Sequence, residues 1–510
     1  MKFSHRLLVL PLLAALVARA DVALAPLFTD HAVLQRDKPI PVWGRADAGE
    51  SVAVAFHGQT SATVATPDGR WIVFLDQLPA DTLGTDLVVT GKNTLTLHDV
   101  VVGEVWLCSG QSNMEFTVSR AANADQEIAA ARFPLIRQVK IERSVAAVPA
   151  DTVKTSGWQS ASPQTVGGFT AVGYFFARDI YQKLGVPVGL VHSSVGGTPV
   201  ESWMSPAALA SDPAFKTVGA RWEQTLAKYP EKKAEFDAAL AVWTKAEAVA
   251  TLKGTAAHTA WSKQNPRPRA PHSPGDTWTP TGLFNGMINP LLPYALRGAL
   301  WYQGESNADH AAEYHALFAA MITAWRQHFG QGDFPFYWVN LANYKAPTDD
   351  TGSTYAFLRE AQTLTLDLPQ TGQAIAIDLG NPNDIHPTNK QDVGRRLALL
   401  AKHRVYGITG DDTGPTFANI IREGAALRIK FTHADGGLIA HDKPVQSLEV
   451  AGADKVFHPA TAKILSDTLL VSALGVPEPV AIRYAWRNSP EANLYNGAGL
   501  PAVPFRSDNW

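Results

Sequence analysis

The chain has 510 residues, 46% hydrophobic and 18% charged, with 39 glycines, 34 prolines and a formal charge of −3. That is enough apolar material for a large core and enough length for two to four domains, which excludes a wholly disordered chain. The near-neutral charge argues against nucleic-acid binding through phosphate contacts, and the single cysteine, Cys108, excludes an intrachain disulfide and any cysteine-cluster metal site.

Residues 1–20 predict a secretory signal peptide. Lys2, His5 and Arg6 precede an apolar run over 7–17, and Ala18-Arg19-Ala20 offers a small-x-small cleavage site. The run is too short to span a bilayer, so no membrane association is expected once the chain is cut after Ala20. Cleavage removes Lys2, Arg6 and Arg19 and takes the charge from −3 to −6. Export without a partner for Cys108, in a chain with no Asn-x-Ser/Thr sequon, points to a bacterial periplasmic or secreted protein.

Residues 21–98 read as an N-terminal β-sandwich. Val52, Val54 and Phe56 alternate with small residues, Pro67-Asp68-Gly69 marks a turn before a strand at 71–75, and Thr94-Leu95-Thr96-Leu97 alternates again. Residues 99–410 then alternate strands and helices. Strands are expected at 100–107, 186–191, 299–302, 336–341 and 374–377. Helices are expected at 171–184, closed by Gly185, and at 393–401. Between them Tyr314, Leu317, Phe318, Met321, Ile322 and Trp325 share one helical face. This pattern implies a parallel sheet covered on both faces. Residues 204–280 interrupt it as an insertion that could cover a cleft. Its 223–250 stretch is rich in Ala, Glu and Lys and predicts helix, and 265–274 is Pro-rich and irregular. Residues 411–510 lose the helical period and predict a C-terminal β-rich domain, with strands at 426–431, 469–473 and 480–485.

Ligands of open α/β sheets bind beyond the carboxyl ends of the strands, and four polar clusters fall there. Gly110-Gln111-Ser112-Asn113-Met114 follows the 100–107 strand and places a serine between strand and helix, where its hydroxyl can face the rim. Ser194-Val195-Gly196-Gly197-Thr198 follows the next strand, and its paired glycines allow close backbone approach. Gln303-Gly304-Glu305-Ser306-Asn307 offers neutral amide donors suited to an oxyanion. Asp384-Ile385-His386-Pro387 offers a base and a carboxylate to orient it. Each cluster read alone is also an ordinary cap or turn. Together they supply the nucleophile, base, orienting acid and oxyanion donors that acyl transfer needs.

These blocks resemble those of SGNH hydrolases, and more narrowly the sialate O-acetylesterase-like branch of carbohydrate esterases. The run Val105-Trp106-Leu107-Cys108-Ser109-Gly110-Gln111-Ser112-Asn113-Met114-Glu115 carries the likeness. So do Phe169-Thr170-Ala171-Val172-Gly173-Tyr174-Phe175-Phe176, Trp301-Tyr302-Gln303-Gly304-Glu305-Ser306-Asn307 and, in the β region, Val33-Leu34-Gln35-Arg36 and Pro41-Val42-Trp43-Gly44. The resemblance spans about residues 27–400. It implies a flavodoxin-like three-layer α/β/α fold and a serine O-acetylesterase acting on acetylated carbohydrate, either sialic acid or a xylan- or xyloglucan-type glycan. It implies no metal and no organic cofactor. Carried over block by block, it makes Ser112 the nucleophile, His386 the base and Asp384 the orienting acid, although many SGNH enzymes place the acid where this chain has Asn383. The oxyanion hole would be the Ser112 and Gly196 N–H groups with the Gln303 side chain, Gly197 and Asn307 being the alternatives. Glu201, Trp203, Glu305 and Arg359 are candidate substrate contacts, with Trp278 and Tyr344 flanking the motif loops. Two other readings stay open: a carbohydrate-binding protein without catalysis, and a lipase or peptidase using the Ser-His pair.

Overall fold

The computed structural model describes residues 21–344 and 353–510; the signal expected at 1–20 lies outside them. The element that organises the molecule is one strand, Thr94–Gly110. Its first six residues alternate between half-buried and exposed, and its last eleven are all buried. The sequence has the same break, from Thr-Leu-Thr-Leu-His-Asp to an apolar run. A sheet with one wet face requires alternation, and a parallel sheet covered on both faces requires continuous apolarity.

The first half of this strand pairs antiparallel with Asp81–Thr90, which continues through Ser51–Phe56 to Gln59–Val64. Val33–Gln35 pairs with it in parallel. A separate three-stranded sheet, Ala23–Leu24, Ile40–Arg45 and Arg70–Leu75, completes the N-terminal β region. The change of composition at 98/99 therefore falls inside a continuous strand, and one hydrophobic core contains residues from both sides of it.

The second half of the strand lies at the centre of the main sheet. From edge to edge the order is Thr155–Ala161, Phe133–Ile141, Val188–Ser194, Thr94–Gly110, Gly298–Tyr302, Phe336–Asn340 and Thr371–Ile375. All neighbours are parallel except the first pair, so the sheet is mixed. Sequence patterning does not reveal Phe133–Ile141, because Arg137, Gln138 and Lys140 interrupt its apolar run. Arg137 is nevertheless buried, with its guanidinium on the Asp99 carboxylate and on the carbonyls of His31 and Asp99.

Successive side chains of a strand point to opposite faces, and Tyr337 and Trp338 show what covers each. Trp338 meets Phe318 of the Ala311–Phe329 helix at 5.2 Å. Tyr337 stacks on Trp106 at 5.9 Å, and Trp106 meets Phe176 of the Ala171–Leu184 helix at 5.0 Å. That helix is capped by the Thr170 hydroxyl and closed by Gly185 at φ 67°. All six residues of the predicted apolar face in Ala311–Phe329 are buried.

The insertion forms a long helix, Lys216–Leu252, and a shorter one, Thr255–Gln264. A two-pronged pair between Arg221 and Glu313 fastens the long helix to the sheet domain. Residues 416–510 build two four-stranded antiparallel sheets over a core of their own, which includes Leu427, Ile429, Val471, Ile482 and Tyr484. No helix among the described residues is long and apolar enough to cross a membrane.

Candidate active site

Parallel registry brings three strand ends level, since Gly110 pairs with Ser194 on one side and with Tyr302 on the other. The chain leaves its strand at Gly110 with φ 131°, and a β-carbon there would collide with the Tyr302 carbonyl oxygen. Only glycine fits so tight an exit. A single helical turn, Ser112–Glu115, follows without a side-chain cap. Gln111 turns away from that turn, and its Oε1 accepts from the N–H groups of Gly304 (3.2 Å) and Ser306 (3.4 Å), tying the first polar cluster to the third. Cys108 is fully buried just below, and burial pushes its thiol far up, out of nucleophilic range.

Ser112 and His386 lie 274 residues apart and meet at 2.8 Å, Oγ to Nε2. The imidazole ring is parallel-stacked with Phe116, centroids 6.4 Å apart. The Asp384 carboxylate accepts the His386 backbone N–H at 2.9 Å and stands 3.5 Å from Nδ1, with its side chain 57% exposed. A serine hydroxyl held on a neutral imidazole can attack a carbonyl while its proton moves to Nε2. Burial holds His386 below the 6.5 of an ordinary histidine; Asp384 opposes that, and Lys390 and Arg120 add to it. The base must be neutral, and a lowered pKa keeps it neutral further into acid. We therefore expect the acid limb of a kcat/KM–pH profile to have its midpoint below pH 6.5. A midpoint above 6.5 would contradict this environment.

A second Ser-His contact sits one strand away: His192 Nε2 lies 2.6 Å from Ser194 Oγ. Both residues are buried, and desolvation lowers His192 to about 3. That imidazole is neutral at all working pH values but unreachable by substrate, so Ser112–His386 is the accessible pair.

Gly196 comes close enough to Ser112 that a β-carbon on it would lie 3.3 Å from Ser112 Cβ. Its N–H donates to Glu115 Oε2 at 2.8 Å. A carboxylate oxygen thus occupies the position where an oxyanion donor beside Ser112 would act. Gly197 has φ 70°, and its carbonyl accepts from Trp278 Nε1 at 2.7 Å.

The sequence-based assignment of Gln303 as the side-chain oxyanion donor fails on donor count. Its Nε2 donates both to the Thr198 carbonyl (3.0 Å) and to Asn307 Oδ1 (2.7 Å), and its Oε1 accepts from Tyr314. No amide hydrogen is left. Asn307 spends one amide hydrogen on Glu201 Oε2 at 2.8 Å and keeps the other.

Four expected substrate contacts have polar atoms engaged within the protein. Trp203 is fully buried, with its indole N–H on Thr198 and its ring edge-on to Trp301. Arg359 is buried among backbone carbonyls. Glu201 braces Asn307, and the Glu305 carboxylate accepts from Asn113 Nδ2 at 2.7 Å. Each is a polar group that sequence position puts near the site and packing turns inward. Tyr344 tilts against Tyr355. Trp278, from the end of the insertion, is half-buried and stacked on His272 at 4.1 Å.

Comparison with known proteins identifies relatives along most of the chain. The family described as "Carbohydrate esterase, sialic acid-specific acetylesterase" matches over residues 102–243 and 249–402. The sialate O-acetylesterase of Rattus norvegicus is 30% identical, covering 93% of this chain and 92% of its own. That of Homo sapiens is 27% identical, covering 98% and 95%. Among solved structures, a novel carbohydrate acetylesterase from Xanthomonas citri is 38% identical, with TM-score 0.80 over 96% of this chain and 100% of that one.

Proposed function

Since the chain belongs to the carbohydrate esterase family of sialic acid-specific acetylesterases, we propose that it removes O-acetyl groups from sugars by a serine mechanism. It is a carboxylic ester hydrolase. The observation that carries the serine reading is the 2.8 Å contact between Ser112 Oγ and His386 Nε2 at the level ends of the parallel strands.

In this reading Ser112 Oγ attacks the acetyl carbonyl carbon and its proton passes to His386 Nε2. The negative charge on the carbonyl oxygen falls to the N–H groups of Ser112 and Gly196 and to the free amide hydrogen of Asn307, displacing the Glu115 carboxylate from Gly196. Asp384 stabilises the imidazolium from 3.5 Å. The bond to the sugar oxygen then breaks, and that oxygen takes the proton from Nε2. Water enters and gives a proton to His386 Nε2 as its oxygen bonds to the acetyl carbon; the bond to Ser112 Oγ then breaks, releasing acetate, and Nε2 returns the proton to Oγ. Replacing Asn307 with alanine should lower kcat by about 10²–10³ with little change in KM. A kcat within threefold of wild type would take Asn307 out of the oxyanion hole.

Helices on both faces of the sheet support an SGNH-type α/β/α core, framed by the N-terminal sandwich and the C-terminal β region. The charged and small residues of 1–20 support export to the periplasm or medium. The substrate is an acetylated glycan, and the acidic and neutral classes differ in one carboxylate. Acetate release from O-acetylated sialic acid, compared with release from acetylated xylan and xyloglucan, assigns the class. Release from none of the three would overturn the carbohydrate reading.

A further inference from the structure

Lys390 opens the Lys390–Arg404 helix, and its side chain is fully buried. A cation is disfavoured at a helix N-terminus by the dipole, and burial adds a desolvation cost. What surrounds it explains why the arrangement persists. The ammonium donates to Asn113 Oδ1 at 2.6 Å and lies 4.9 Å from the Phe116 ring and 5.1 Å from that of Tyr302. Asn113 in turn donates from Nδ2 to Glu305 Oε1 at 2.7 Å and to the Ile385 carbonyl at 3.0 Å. The other oxygen of Glu305 is buried without a hydrogen-bond partner, and burial raises the pKa of its carboxyl against the opposing pull of the Asn113 amide and the Lys390 ammonium.

Asn113 follows Ser112 and Ile385 precedes His386, so one saturated amide joins the two segments that carry the reacting pair. We propose that Lys390, acting through Asn113, is a positioning residue that fixes the Ile385–His386 backbone against the Ser112 turn and supplies a cation to the field in which His386 acts as base. This rests on the Ser112–His386 reading above.

The charges around the histidine are few. Asp384 on its own loop favours the imidazolium, while burial, Lys390 and Arg120 disfavour it. Lys390 faces Glu305, Asp384 and Arg120. Burial pulls the ammonium down to about 7 against the pull of Glu305 and Asp384, so it is mostly protonated over the acid range in which His386 titrates. Removing that cation should let His386 keep its proton to higher pH.

The test is the pH profile of 4-nitrophenyl acetate hydrolysis by the full-length protein. Lys390→Met should lower kcat at least about tenfold through misplacement of the base. It should also move the acid limb of kcat/KM upward by about 0.3 unit or more. Lys390→Arg, which keeps the charge, should leave the limb in place. A Lys390→Met enzyme with wild-type kcat, or one that loses activity with an unmoved limb, overturns the proposal. Should that variant not fold, Asn113→Ala carries the test: a kcat at least about tenfold lower with the limb unmoved supports the link, and a wild-type kcat refutes it. Activity surviving in Ser112→Ala would instead sink the underlying serine reading, which keeps the two failures distinguishable.

Discussion

Replacing Ser112 with alanine should abolish release of acetate from 4-nitrophenyl acetate, by roughly 10⁴–10⁶ in kcat. The hydroxyl is the nucleophile in the proposed mechanism, and the same variant keeps its backbone N–H and the rest of the oxyanion site. Binding should therefore survive while turnover does not. His386→Ala should fall to a similar level, because the serine without its base is a weak nucleophile. The double variant should be little worse than either single one, since residues that act as a unit lose their joint effect once. Full activity in Ser112→Ala would move the nucleophile elsewhere. The buried Ser194–His192 contact is no substitute, because substrate cannot reach it.

The positions of Ser112 and His386 were legible because they depend on topology. A strand end followed by small and polar residues is visible in sequence, and parallel strands place their carboxyl ends on one edge. What sequence could not supply was the allocation of hydrogen bonds. Gln303 and Asn307 both offer amides four residues apart, and only their partners show that Gln303 is spent and Asn307 is not. Lys390 looks like any lysine beginning an amphipathic helix until the fold buries it under Phe116 and Tyr302. The Thr94–Gly110 strand looks like two elements in sequence because its burial regime changes at midlength, although its backbone does not. Phe133–Ile141 is hidden in sequence because the Arg137 charge that breaks its pattern is paired with Asp99, distant in sequence.

Arg359, a candidate substrate contact by sequence, is buried among backbone carbonyls. As a candidate substrate contact it would affect KM. As placed, it affects stability. Its Nε donates to the Leu341 carbonyl at 2.7 Å, Nη1 to that of Arg487 at 2.8 Å, and Nη2 to those of Ala342 and Asn488 at 2.9 Å each. One guanidinium thus ties the segment just after the Phe336–Asn340 strand to the C-terminal β region. Two bonds from Asn488, one accepting from the Tyr344 N–H and one from the Tyr355 N–H, strengthen the same joint. Burial pulls the guanidinium down to about 9, so it stays charged at neutral pH. Arg359→Met would take that donor from the Leu341, Ala342 and Arg487 carbonyls, while the Asn488 carbonyl keeps the Tyr344 N–H; the loss is offset in part by no longer burying a charge. The net loss should be about 3–5 kcal/mol of unfolding free energy. Urea denaturation followed by tryptophan fluorescence would measure it. Arg359→Lys should recover only part, because an ammonium cannot reproduce the planar fork that serves four acceptors. In the folded fraction of either variant KM should stay within about twofold of wild type, since only uniform binding losses raise KM alone. A variant of wild-type stability with KM raised tenfold would return Arg359 to the substrate.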